Sequence, residues 1–468
     1  MLVPLNITGG SYQSRSRPLS SQVTRNFYPE IQDDPFALDK YVLQPYPGYK
    51  LFASASGIDR GMIEHQGVLY KVSGTTFYSI DSAGTHTSHG TVDGSLPVIM
   101  DGFGDYVEIA TGEGRVYEYT TSIAETTDVD LETPDWVAHL NNTAIYGGDG
   151  GRFAVSAVGD ATSIDGLDYG TAESNADNVV RGYVFNQRLY LFGEKTIEPW
   201  WFSGVGRPPL DRIEGGIITI GLDARMSIGS NDTFMYWLAD DKRVYRAQAP
   251  GSATAVSNIA LSNAFENYDT TSDAIGYCYT LQGQNFYKLS FPTEDKTWQY
   301  SEAVGQWFET SRSATTGRDV ANTHAFAYGK NLVADYRNSN IYELDVNTYD
   351  ENGAAMTRQR DTGVLHGGLA GAPGREIEFN RFELILERGV GIISGQGSDP
   401  VIMLQLSIDG GRTFNTEQWA RIGKSAEFLQ KVEWFGLGRA SEFIIRVKTS
   451  DPVPFSIHAA NADIEISE

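Results

Sequence analysis

The chain has 468 residues, 41% of them hydrophobic and 12% aromatic, with 36 basic against 60 acidic side chains for a formal net charge of −24. That length exceeds one ordinary domain and that apolar content supports full cores, so global disorder is excluded. The acidic excess argues against a nucleic-acid-binding surface, which needs clustered Lys and Arg to displace counterions, and suits a body that adheres to neither DNA nor membrane.

Residues 1–60 are turn-rich, with Gly9-Gly10, Pro18, Pro29, Pro35, Pro45 and Pro47-Gly48, and read as an arm that packs on or closes the structure that follows. Met1 to Gly10 lacks the basic run and apolar core of a signal peptide, and no window approaches the ~18 apolar residues of a membrane span. The expectation is a protein with no membrane span that is not conventionally secreted.

A repeat then begins. Gly67 opens Val68-Leu69-Tyr70-Lys71-Val72, a Ser73-Gly74 turn follows, and Phe77-Tyr78-Ser79-Ile80 completes the unit. Later copies start near Gly104, Asn142, Asn186, Asn231, Gly283 and Gly329, at spacings of 37, 38, 44, 45, 52 and 46 residues. Units of roughly 40–50 residues made of short β-branched and aromatic runs between turn formers are the mark of four-stranded propeller blades. The fold class is therefore all-β, a seven-bladed β-propeller over residues 61–350. The seventh unit shows three clear strands, at Ala325-Phe326-Ala327, Leu332-Val333-Ala334 and Ile341 to Leu344, so a strand such as Tyr49 to Ala53 is expected to complete it. One helix is expected between the fifth and sixth units, over Ser257 to Tyr268, where Ile259, Leu261, Phe265 and Tyr268 recur at helical spacing.

Residues 351–375 include Gly363 to Gly374, which reads as a glycine-rich linker or loop unable to hold a strand or helix. Beyond it, Phe382 to Leu386, Val401 to Ser407, Glu442 to Lys448, Phe455 to His458 and Ala462 to Ile466 read as strands of a small C-terminal β-sandwich over residues 376–468.

Chemistry is sparse. Ser407-Ile408-Asp409-Gly410-Gly411-Arg412-Thr413-Phe414 matches the Asp box of sialidases and other sugar-acting propellers, where it braces a hairpin away from the active site; it is read here as a folding motif. Of the seven histidines only His86 and His89 are close in sequence, and they read as a solvated loop. Glu125, Asp128, Asp130, Glu132 and Asp135 lack a calcium-loop glycine and read as a solvated acidic loop. Cys278 is the sole cysteine, so no internal disulfide forms, and it reads as an inert, partly buried thiol in a chain assembled in a reducing cytoplasm. In Trp200-Trp201 one ring is expected in the core and the other outside, since adjacent strand residues face opposite ways. There is no nucleophile elbow, P-loop or zinc-protease motif. The expectation is no catalytic, cofactor-binding or metal-binding residue and no cofactor.

Tyr46-Pro47-Gly48, then Gly57, Arg60-Gly61 and the Val68 to Gly74 hairpin, resemble the tail hub or nozzle proteins of short-tailed bacteriophages, also called packaged-DNA stabilisation proteins. The arm Asn26-Phe27-Tyr28-Pro29-Glu30, Thr196-Ile197-Glu198 before Trp200-Trp201 and Ser203-Gly204, the helix Ile259 to Tyr268, and Ser407, Asp409 and Gly410 with Glu417-Gln418 carry the same resemblance in order. It implies a structural virion protein of the tail, assembled in the bacterial host cytoplasm. Six copies would form a ring below the portal and adaptor rings, retain packaged double-stranded DNA, conduct it on ejection without sequence-specific binding, and dock spikes, fibres or a needle. An acidic ring around the conduit would let DNA slide by repelling phosphate. Two rival readings stand beside this one: a sialidase- or glycosidase-like propeller acting on host surface glycans, and a cytoplasmic propeller scaffold.

Overall fold

A computed structural model describes residues 2–148, 150–172, 177–313 and 316–467. Among these, seven antiparallel four-stranded sets follow one another along the chain. Blade one is Asp59–His65, Val68–Ser73, Thr76–Ile80 and His86–Thr91; blade two runs from Ile99–Phe103 to Ile123–Glu125. Blades three and four start at Trp136–Leu140 and Val179–Phe185, and blades five and six at Gly229–Ser230 and Ile275–Leu281. Blade seven starts at Ala321–Ala327.

Each sequence repeat begins at the hairpin between a blade's first two strands. In five blades both turn residues have positive φ: Gln66-Gly67, Asn141-Asn142, Asn186-Gln187, Gln282-Gly283 and Tyr328-Gly329. Two consecutive left-handed residues make the turn whose twist matches flanking strands, and Gly and Asn adopt it most readily. Tyr328 is the bulky exception. Its hydroxyl donates to Ile80 O and accepts from Leu69 N at 3.0 Å, so it ties blade seven to blade one.

The ring closes through the N-terminal arm. Gly48–Ala53 runs antiparallel to Ile341–Asp345 as the fourth strand of blade seven, pairing Leu344 with Tyr49 and Tyr342 with Leu51. Gly48 is required there by space: a β-carbon on it would lie 2.6 Å from the carbonyl oxygens of both Thr348 and Asp350. Backbone atoms cannot swing aside, so Gly48→Ala is expected to lose roughly 1–3 kcal/mol of stability in urea unfolding. Lys50→Ala, on the same strand but exposed, should stay within about 0.5 kcal/mol of the parent.

The rest of the arm serves both domains: Tyr28 and Tyr46 pack in a propeller core with Tyr279, Phe286 and Phe308, while other arm segments join the sandwich. Leu2–Leu5 pairs with Ile457–Ile466, and the hairpin Phe27–Ile31/Tyr41–Pro45 extends the same sheet, which continues through Ile377–Leu386 to Val432–Ala440. Val3, Ile7, Phe27 and Leu43 are buried in one core with Phe382, Leu404, Trp434 and Phe455. The sandwich is thus built from both ends of the chain.

One correction concerns residues 351–375. Arg358–His366 is a nine-residue strand, and Gly367–Ala370 forms a 3-10 turn closed by left-handed Gly371. The strand pairs with Ser21–Arg25 on one side and Glu442–Thr449 on the other. The register slips between Asp361 and Val364, placing Thr362-Gly363 in a bulge where glycine is favoured. Glycine content lowers strand propensity, but two flanking partners and buried side chains override it. Arg360 donates to Ile7 O, Gly10 O, Thr24 Oγ1 and Gln22 Oε1 at 2.7–3.0 Å, stapling this strand to the arm.

The two domains share backbone pairing. Arg25 pairs in parallel with Glu309, the last residue of blade six, so one ten-stranded sheet crosses from the propeller through the arm into the sandwich. The helix Ile259–Glu266 sits between blades five and six, with Asn258 Oδ1 accepting from Leu261 N at 2.9 Å as its N-cap.

Candidate functional site

Six of the seven innermost strands converge on the propeller axis around a cavity of about 280 Å³. Met62, Met100 and Met226 form apolar wall, while Arg181, Tyr183, Tyr277 and His324 bring polar edges. A second cavity of about 320 Å³ adjoins it through Ser230, Cys278 and His324 and reaches the turns at Asn231 and Asp232. Spaces of this size hold a small molecule, not a duplex. His324 stacks on Tyr277 at 5.3 Å, and burial pushes its imidazole down to about 4, so it is neutral.

The joints between parts are polar and buried. Lys288 Nζ of blade six lies 2.6 Å from Asp319 Oδ2, on the connection leading into blade seven, and donates to Tyr46 Oη at 3.0 Å. Tyr49 Oη donates to the other Asp319 oxygen at 2.5 Å. One carboxylate therefore holds the arm and two blades together. Burial alone would raise the Asp319 carboxyl, but Lys288 and the donated hydrogen bonds hold it below its ordinary value. Asp59 repeats the device between blades seven and one, accepting from Asn322 and Thr323 at 3.0 and 2.8 Å with Lys71 at 3.6 Å. Arg25 joins Glu309 at 2.6 Å where propeller meets sandwich.

The Asp box closes a loop at the sandwich edge. Asp409 accepts from Arg412 N, Thr413 N and Thr413 Oγ1, and from Ser407 Oγ at 2.7 Å, which together hold its carboxyl well below the usual range, Thr413 contributing most. The loop docks on the arm, with Ser21 Oγ donating to Gly410 O at 2.9 Å. It is a brace, as its sequence reads.

Family models described as bacteriophage P22 Gp10, beta-propeller, and bacteriophage P22 Gp10, beta-sandwich, match residues 1–349 and 364–465. The chain belongs to the bacteriophage P22 Gp10 family. That makes it a member of a phage structural protein family of the tail hub or nozzle type, with a propeller and a C-terminal sandwich. None of the curated proteins matches it. Among solved structures it is similar to the computationally designed Ika8 protein, at 9% identity over 63% of this chain and 100% of that one with a TM-score of 0.40. BamB from Moraxella catarrhalis aligns at 10% identity over 69% and 98%, TM-score 0.40, and the Neurospora crassa Pan2 WD40 domain at 7% over 66% and 98%, TM-score 0.41. Likenesses this loose carry no argument about what a Gp10-family chain does.

The residues singled out by sequence fall apart from one another in this Gp10-family fold. His86 and His89 lie on the outer strand of blade one rather than in a loop: His86 meets Tyr78 edge-on at 5.5 Å, and His89 bonds Ser79 Oγ at 2.7 Å and packs on Tyr119. Backbone pairing with Thr76–Ile80 makes the strand. The acidic stretch starts in the last strand of blade two at Glu125 and then caps backbone: Asp128 accepts from Asp130 N, Asp135 from Gly114 N, and Glu132 pairs with Arg152 at 2.7 Å. No group of three metal-capable side chains occurs among the described residues. Cys278 faces the axial cavity, where burial pushes its thiol up and away from reactivity. Trp200 packs on Phe153 at 5.3 Å while Trp201 is 46% exposed.

The buried charges do leave a signal in the sequence. Lys71 and Glu108 each stand four residues after a repeat start, at Gly67 and Gly104, inside otherwise apolar strands. Tyr146 holds the same place after Asn142, and its hydroxyl reaches Glu108 at 3.1 Å. A charge at a core position of a repeat points to a partner from the neighbouring blade.

Proposed function

We propose that this chain is the wall and docking subunit of a phage tail hub: a homo-oligomeric, hexameric ring below the portal and adaptor that retains packaged DNA, conducts it on ejection and seats spikes, fibres or a needle. The observation that carries the reading is the single sheet from blade six through residues 21–25 into the sandwich. Backbone pairing across a domain boundary resists hinge motion, as a part under packaging pressure must. The axial cavities are too small for a duplex, so the conduit lies between subunits, where a net charge of −24 per chain repels phosphate and lets DNA slide.

Docking falls to the sandwich tip. Loops 387–400 and 422–431 lie together, Ala426 N donating to Gly389 O at 3.1 Å, and they expose Ile393, Phe428 and Leu429 at 98, 64 and 92%. Large apolar side chains held out by ordered loops mark an interaction surface. Electron microscopy of purified virions is expected to show this chain as a six-fold ring beneath the portal. A strictly monomeric chain that never enters particles would overturn the reading.

A further inference from the structure

We propose that the propeller axis is a binding site for a small organic carboxylate, held by Arg181 and Tyr277 with its apolar body against the methionines. Three observations converge on it. Arg181 is the one formally charged side chain among the described residues lining the 280 Å³ cavity, and no Asp or Glu lines it, although acids outnumber bases 60 to 36 in the chain. Arg181 Nη1 donates to Arg225 O at 3.0 Å, but its buried Nε–H has no acceptor. Tyr277 Oη, lining the same cavity, is likewise buried without a partner.

Buried donors left unmade cost free energy, and native structures leave few of them without a water, ion or ligand. A carboxylate brings two acceptor oxygens to these two donors. Neutral His324 adds no competing charge, and the Tyr183 ring, 5.5 Å from the guanidinium, and Met62, Met100 and Met226 offer apolar contact. A carboxylate accepts from Nε–H and the phenol together, and the guanidinium supplies the countercharge. Burial first, then the nearby Arg225, press the Arg181 guanidinium down to about 10, and an anion relieves both. The adjoining 320 Å³ cavity has Ser230, Asn231 and Asn285 at its walls, with one carboxylate, Asp232, at its far turn. This assignment is independent of the tail-hub reading.

Calorimetry on the full chain with benzoate and with benzamide, its neutral counterpart of similar shape, tests it. Benzoate is expected to bind and benzamide to bind at least about tenfold more weakly, because the site answers the charge. Arg181→Met should weaken benzoate by about tenfold or more, and Tyr277→Phe, which keeps the ring, by several-fold. Circular dichroism melts of each variant report whether it folds. If Arg181→Met fails to fold, Arg181→Lys, which keeps the charge and loses the fork, should still weaken benzoate measurably. Equal binding of the two probes, no benzoate binding at about 10 mM, or benzoate binding unchanged in the folded variants would each overturn the proposal.

Discussion

Asp319→Ala is expected to lower the unfolding free energy by about 3–5 kcal/mol, among the largest losses any single side chain of this protein can cause. Lys288 and Asp319 side chains are 0 and 1% exposed, so neither can turn to water when its partner is removed. Without the carboxylate, the Lys288 ammonium keeps only Tyr46 Oη and the Tyr49 hydroxyl loses its acceptor. The cost is that of an uncompensated buried charge plus an orphaned donor. Lys288→Met leaves the converse defect and should cost a similar amount. The double change Lys288→Met/Asp319→Ala removes both charges and should be much milder than the sum of the singles, since a buried pair contributes little net stability beyond an apolar replacement. Guanidinium unfolding of the four proteins measures this cycle; additive losses would show that the two charges do not act as a unit. Because the cluster joins arm, blade six and blade seven, the single variants should also release the arm to proteolysis.

Glu108 governs the second large effect. Its side chain is fully buried at the seam of blades two and three, opposite Glu118 across the strand pair. Burial first, with Glu118 and Asp101 adding repulsion, pushes its carboxyl up to about 8 from an ordinary 4.5. The Tyr146 hydroxyl lies 3.1 Å from Glu108 Oε2 and 2.9 Å from Ala161 O. One hydroxyl hydrogen cannot serve both acceptors, and a protonated Glu108 resolves the conflict by donating to Tyr146. The folded chain thus keeps a proton that the unfolded chain releases near pH 4.5. Protons bound in the folded state exceed those in the unfolded state across that window, so stability falls as pH rises from 4.5 to 8. At about 1.4 kcal/mol per unit the loss reaches roughly 4–5 kcal/mol by pH 8. Glu108→Gln keeps the shape, donates to Tyr146 and cannot ionise, so it should flatten the profile and melt above the parent at pH 8 while matching it near pH 4.5. Parallel melting curves for both proteins across that range would remove Glu108 from the account.

Periodicity made the propeller legible. Paired left-handed turns at Gln66-Gly67, Asn141-Asn142 and Gln282-Gly283 leave a local mark, because only a few residue types adopt that backbone cheaply. The apolar spacing of Ile259, Leu261, Phe265 and Tyr268 marks the helix in the same way. The Asp box is equally local, since every bond Asp409 makes falls within Ser407–Thr413. Partners far along the chain leave no such mark. Nothing near Gly363 announces that Arg358–His366 will find Ser21–Arg25 on one edge and Glu442–Thr449 on the other. The axial site was hidden for the same reason: Arg181 and Tyr277 lie on blades four and six, and only ring closure turns them toward one cavity.

By itself, then, the sequence determined the blades, their number of repeats and the strand character of the last hundred residues, because turn chemistry and side-chain alternation act over a few residues. Only the tertiary structure decided how the parts are joined. It placed Leu2–Leu5 and the Phe27 hairpin in the sandwich, Gly48–Ala53 in blade seven and Arg25 beside Glu309. Those pairings depend on which edge is open and which buried charge lacks a partner once the ring has formed, and both are properties of the folded surface rather than of any local run of residues.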